Sequence, residues 1–249
     1  MALTQEQQDK IEAIFRTTVK NAFRRLRDLT LSTHAVNPFL AVLVARRPRE
    51  LAEFIVHQRA ERGLVTSFGM QIQKILLIVA DNLHASGVEG ADFERVDETA
   101  RRHTLGQLKS GPETVNSDTA SEIRRNLNSA GSRIRSGGLP DDWSVTKMLG
   151  MVYGTPAHRS RWVMGLGEQD DFDVDKIGRA LWEFASGHED TYLEVFEIAA
   201  RVANSSRDDG RTLPEAIQDA VALLTNELHA HYSDADGNID WTKLVEENM

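Results

Sequence analysis

The chain has 249 residues and no cysteine. That absence excludes disulfides, thiolate chemistry and Cys-ligated zinc. It also lacks any apolar run near the roughly 18 residues that a membrane span requires. The first fifteen residues, MALTQEQQDKIEAIF, carry acidic and amide side chains early and no apolar signal core. A cytoplasmic protein with no membrane association is therefore expected. Positive charge is scarce too: the formal net charge is −9. A protein that coats nucleic acid without regard to sequence needs many Lys and Arg, so that class is disfavoured. A 41% apolar and 27% charged composition is that of an ordinary globular chain.

What charge there is lies unevenly. Residues 101–135 hold seven Lys/Arg against three Asp/Glu, a local net of +4. Residues 168–200 hold ten acids against two bases, a local net of −8. A polyanion is expected to meet the first stretch and to avoid the second.

Periodicity divides the chain into three parts of one expected domain: a helical part over 1–86, a sheet core over 87–167 and a second helical part over 168–249. Thr4 and Gln7 form a helix-start box, and apolar residues then recur near a 3.6 period from Ile11 to Leu26. Asn37-Pro38 opens a second helix, Pro48 a third, and Thr66-Ser67 precedes a fourth, FGMQIQKILLIVADNLHA. After Gly87 and Gly90 the segments ADFERVD and HTLGQLKS alternate like strands around the polar turn ETARR. TASEIRRNLNSAGSRIR reads as a helix, SVTKMLGMVYG as a third strand and RWVMGLG as a fourth. From Phe172 the pattern is helical again. The expected fold class is α/β (α+β), a small mixed sheet inside a largely helical shell.

The hairpin carries the chemistry. With its turn centred on residues 98–101, Asp92 falls opposite Gln107, and Gln107 and Lys109 share a strand face. A carboxylate, an amide oxygen and an ammonium then converge at the end away from the turn. Asp92 and Gln107 are hard oxygen donors suited to Mg²⁺, and Lys109 can orient a water or steady developing negative charge. Asp97, beside the turn, lies too far from Lys109. Gln107→Glu is expected to preserve fold and metal-dependent activity, since the two side chains are nearly the same size.

Asp92 followed by Gln107-Leu108-Lys109 resembles the D…(D/E)xK signature of the PD-(D/E)xK nuclease superfamily, in a QxK variant. Lys109-Ser110-Gly111-Pro112 with Thr114-Val115-Asn116 resembles the segment after the catalytic lysine in a group of type II restriction endonucleases. Further similarity lies in Asn37-Pro38-Phe39, Thr66-Ser67-Phe68-Gly69, Trp182-Glu183-Phe184, Ser186-Gly187 and Thr191-Tyr192. The resemblance implies a nuclease core, Mg²⁺ as cofactor and double-stranded DNA as substrate, cut to 5′-phosphate and 3′-hydroxyl ends. It implies Asp92 as the main metal ligand, Gln107 completing the metal site and Lys109 positioning the attacking water. Gln73, with Gln71 as its alternative, is the candidate for a further metal ligand from the fourth helix.

Around this core, Ser110 and Asn116 are candidates to hold the loop or touch the scissile strand. Arg124, Arg125, Arg133 and Arg135 could meet phosphates or bases. The loop bearing His158, Arg159 and Arg161 is the preferred recognition element, because Arg binds guanine bidentately in the major groove. A palindromic duplex site matches a two-fold protein, so a homodimer is expected. The rival expectations are another nuclease of the same superfamily, acting in repair or on modified DNA, and a non-enzymatic helical interaction protein. SDADGNID fails as a calcium loop: with Gly237 at the sixth position, the twelfth is Lys243.

Overall fold

In the computed structural model the described residues are 3–33, 36–168, 171–205 and 210–248. They fall into two compact units, one of Met1–Glu12 with Gly69–Ile198 and one of Ala13–Phe68 with Ala199–Met249.

The first unit is built on a five-stranded sheet in the order β1-β2-β3-β4-β5. Its strands are β1 (His84–Ala85), β2 (Phe93–Asp97), β3 (Arg102–Lys109), β4 (Ser144–Met151) and β5 (Phe172–Asp173). The β1–β2 and β2–β3 pairs are antiparallel, and the β3–β4 and β4–β5 pairs parallel. The sheet is therefore mixed, as the alternation of hairpin and helix predicts. The long connection between parallel β3 and β4 carries the helix Ser117–Ser136. Taking the helices in chain order, α1 (Gln5–Arg27), α2 (Pro38–Val44) and α3 (Pro48–Val79) precede it, which makes it α4. Its apolar stripe of Ala120, Ile123, Leu127 and Ala130 packs with Leu105, Val145, Leu149 and Met151 of the sheet. On the opposite face the buried Phe93 ring lies over Gly106, its cross-strand partner, in the space a Cβ would need. Leu181 of α6 (Arg179–Ser186) approaches Gly150 on that same face.

Several details depart from expectation, the first being that the helix expected to reach Ala85 stops at Val79 and His84–Ala85 form β1. RWVMGLG is not a strand but α5 (Arg161–Gly167). Ser160 caps it by accepting from the Val163 N–H at 3.3 Å, and Val163 and Leu166 are buried one turn apart. A short apolar run fits either period, and here the cap decides. The fourth parallel-sheet neighbour is instead the two-residue β5. Finally, the expected third and fourth helices are one 32-residue helix, α3. No proline follows Pro48 within it, and a Ser or Thr inside a helix can turn its hydroxyl back to its own backbone. Gly63 weakens the helix by about 1 kcal/mol relative to Ala. It also leaves room for Arg25, whose Nη1 donates to the Gly63 carbonyl at 3.0 Å.

The second unit has its own core. Ala41, Leu51, Ile55 and Val56 pack with Leu224 and Leu228 of α8 (Leu213–Tyr232) and Leu244 of α9 (Trp241–Asn248). Asn37 caps α2, accepting from the N–H groups of Phe39 and Leu40. Glu50 accepts from the N–H groups of Arg46 and Arg47, which hold its carboxyl below the usual range. The SDADGNID segment is a turn, with Asp234 Oδ1 accepting from Asp236 and Asn238 N–H and Gly237 at φ +77°. Helix α7 (Thr191–Asn204) completes the set. Among the described residues no helix is long and apolar enough to cross a membrane.

Candidate active site

Strand pairing decides which side chains meet. Phe93 pairs with Gly106 and Asp97 with Arg102, so Asp92, which directly precedes β2, stands at the end of the hairpin where Gln107 follows Gly106. The Asp92 N–H donates to the Gly106 carbonyl at 2.7 Å, which holds the residue before β2 against β3. Leu105 packs toward α4, so Gln107 and Lys109, at two-residue spacing, lie on the α4 side of the sheet. Asp97 sits at the other end of the hairpin, where its Oδ1 accepts from the Ala100 N–H at 2.9 Å and shapes the turn.

Each member of the group is held. Asp92 Oδ2 accepts from the Leu108 N–H at 2.7 Å. The Asp92 carbonyl accepts from Gln73 Nε2 at 2.8 Å and from the Ser86 N–H at 3.3 Å. Gln73 therefore reaches this region from α3 with its amide nitrogen, onto the backbone of Asp92. The Gln71 side chain makes no hydrogen bond among the described residues. Gln107 Nε2 donates to the Gly90 carbonyl at 2.9 Å. Lys109 is half-buried, and its ammonium has no hydrogen bond or ion pair among the described residues.

Past the strand ends, β3 and β4 stay joined. The N–H groups of Val152 and Tyr153 donate to the carbonyls of Lys109 and Ser110, both at 3.1 Å. The Tyr153 ring lies in the space that a side chain at Gly111 would fill, and Pro112 packs against Gly154 at φ +104°. Trp182 Nε1 donates to the Val152 carbonyl at 3.1 Å in the interior. Ser186 and Thr191 share a buried hydroxyl contact at 2.7 Å. The Ser110-Gly111-Pro112 run, Trp182, Ser186 and Thr191 thus all have packing roles around the end of β4.

The basic and polar candidates are placed as follows. Asn116 is exposed and caps α4 by accepting from the Thr119 N–H at 2.9 Å. Arg124 donates to the Gly165 carbonyl at 3.4 Å. Arg125 is exposed and makes no bond among the described residues. Arg133 is engaged with Glu89, donating to its carbonyl at 2.8 Å and pairing with its carboxylate at 3.3 Å. His158 Nδ1 accepts from the Thr155 N–H at 3.2 Å. Arg159 is bound to Asp175 and to the Pro156 carbonyl, whereas Arg161 is exposed, its guanidinium 4.4 Å from the Trp162 ring centre.

With this geometry in hand, one comparison is decisive: the family profile for Type II restriction endonuclease EcoO109I matches residues 5–206. The chain belongs to that family. No curated protein matches its sequence. The matched span includes the whole sheet and α4, so the mixed-sheet fold is that of a restriction-endonuclease-like nuclease. Within this family member the Asp92–Gln107 pair is the natural place to test for a metal. Among the described residues there is no cluster of three or more His, Asp or Glu that could hold one. The donor set is instead one carboxylate and one amide oxygen. It fits a hard cation of the Mg²⁺ kind, which binds through one or two carboxylates and keeps water and substrate phosphate as its other ligands.

Sequence reasoning named Gly90 and Arg133 but gave neither a role at the turn before Asp92, and it gave Tyr153 no role beside Gly111. Gly87 and Gly90 did punctuate the chain, but only closure of the sheet against α4 shows what their turn touches.

Proposed function

We propose that this protein is a type II site-specific deoxyribonuclease that hydrolyses phosphodiester bonds in double-stranded DNA with Mg²⁺, using Asp92, Gln107 and Lys109. The observation that supports the reading is the bond from the Leu108 N–H to Asp92 Oδ2, which ties the Asp92 carboxylate to the end of β3 that bears Gln107 and Lys109. Asp92, fixed through Leu108 N–H, would hold the cation with Gln107 Oε1, and Gln73 would steady Asp92 through its carbonyl or add an oxygen of its own. When bound, Mg²⁺ polarises the scissile phosphate and lowers the pKa of a coordinated water. Lys109, without a partner among the described residues, would hold the attacking water and stabilise negative charge at the phosphate. Products would carry 5′-phosphate and 3′-hydroxyl ends.

DNA would lie along the C-terminal ends of β3 and β4. Ser110 and Asn116 would lie beside the scissile strand, Arg124 and Arg125 would face phosphates, and His158 and Arg161 would face the grooves, with Arg159 holding their loop through Asp175 and the Pro156 carbonyl. A two-fold target implies a homodimer, acting in the cytoplasm. The test is incubation with phage-length DNA and Mg²⁺. Discrete fragments support the reading; intact DNA, or a smear independent of Mg²⁺, would refute it.

A further inference from the structure

The turn that delivers Asp92 is gripped from several sides. Gly87 N–H donates to Glu94 Oε1 at 3.3 Å, and the other oxygen of that carboxylate meets His103 at 3.0 Å. Arg133, from α4, donates to the Glu89 carbonyl. Gly90 stands at φ +97°, so close to α4 that a Cβ there would come within 2.9 Å of the Asn126 carbonyl oxygen. The remaining hold is Gln107 Nε2 on the Gly90 carbonyl at 2.9 Å. A carbonyl oxygen only accepts, so the amide nitrogen must be the atom that faces it. Oε1 is thereby turned away from Gly90, and among the described residues it has no partner.

From this we propose that Gln107 is a positioning residue as well as a ligand: its nitrogen locks the 86–91 turn that carries Asp92, and an amide is therefore required where a carboxylate would not serve. The inference rests on the reading of Asp92 and Gln107 as the metal site. An ionised glutamate at 107 has the same shape and a stronger attraction for a cation, yet it sets acceptor against acceptor at Gly90. Losing the donor leaves the carbonyl unsatisfied and the turn held from fewer sides. Size alone predicts that Gln107→Glu is benign; the Gly90 contact predicts the opposite.

The experiment compares Gln107→Glu, Gln107→Leu and Arg133→Ala with the wild type. Amide hydrogen exchange over residues 86–92 is read without metal, and cleavage of phage-length DNA is titrated with Mg²⁺. Both Gln107 variants should exchange faster across the turn. Gln107→Glu should cleave about 10- to 100-fold more slowly even at saturating Mg²⁺, the range seen when supports of metal ligands are removed. Arg133→Ala leaves residue 107 intact and frees the same turn from the α4 side, so it should loosen the turn and slow cleavage to a smaller degree. Wild-type exchange in Gln107→Glu, or a loosened turn with wild-type cleavage in either Gln107→Glu or Arg133→Ala, would overturn the proposal. Asp92→Asn and Lys109→Ala run in parallel. If they still cleave, the site reading has failed rather than the lock.

Discussion

The two ends of the β2–β3 hairpin carry similar residues, an aspartate and a base at each, and the fold treats them in opposite ways. At the turn end, Asp97 faces Arg102 across the pair, Arg101 adopts φ 48°, and its guanidinium pairs with Asp142 in solvent. At the other end Asp92 is fixed by the Leu108 N–H, its carbonyl is bonded by Gln73, and Gln107 is tied to Gly90. The Lys109 ammonium has no partner among the described residues. The lesson is that composition does not mark the chemical end of this hairpin. What the turn end lacks is an amide tied to a neighbouring turn and a carboxylate bonded onto the partner strand.

The largest expected effect breaks that comparison directly. Asp92→Asn and Lys109→Ala should each lower cleavage by at least about 100-fold, the scale of removing one group that acts on the transition state. Asp97→Asn should change it less than about two-fold, because its carboxylate only shapes an exposed turn and surface changes of that kind are near neutral. If Asp97→Asn proves the inactive variant, the register has been assigned to the wrong end.

Between the two ends lies Gly106. The Phe93 ring above it is fully buried and cannot move aside. Gly106→Ala should cost about 1–3 kcal/mol, the usual penalty for overpacking, read as a lower urea midpoint. Cleavage by the surviving folded fraction should persist. A loss of cleavage with unchanged stability would show that the two ends are not independent.

Much of this arrangement is legible in the sequence, and the part that is not has a physical cause. The hairpin register follows from a polar turn and two-residue alternation, both local. The α4 helix and β4 follow from strong periodicity. The short apolar run 161–167 fits strand or helix equally, and only the cap from Ser160 settles it. α3 runs on through Thr66-Ser67, a pair that as readily caps a helix as sits inside one, so no local pattern announces its continuity. The grip of Gln107 on Gly90 joins residues 17 positions apart and exists only once the sheet and α4 have closed on the turn. The same holds for Trp182, whose indole finds a carbonyl 30 residues away.

The loop after β4 sharpens the comparison further. Arg159 is spent on Asp175 and Pro156, while Arg161 is exposed. Arg161→Ala should therefore remove about 1–3 kcal/mol of discrimination between specific and random duplexes. Arg159→Ala should act mainly on stability. Competition binding at fixed salt separates them, and equal loss on both duplexes for Arg161→Ala would reduce it to a phosphate contact.

The smallest effect belongs to the turn end. Arg101→Ala breaks an exposed ion pair and should alter stability by no more than about 1 kcal/mol, and less at high salt.

The central claim is that the held end of the hairpin cuts DNA and the turn end does not. The most direct test is one cleavage assay on phage-length DNA with Mg²⁺, run side by side for wild type, Lys109→Ala and Asp97→Asn. The account predicts the same discrete fragments from wild type and Asp97→Asn, and intact DNA from Lys109→Ala with its duplex binding retained. Fragments from Lys109→Ala at the wild-type rate would contradict it.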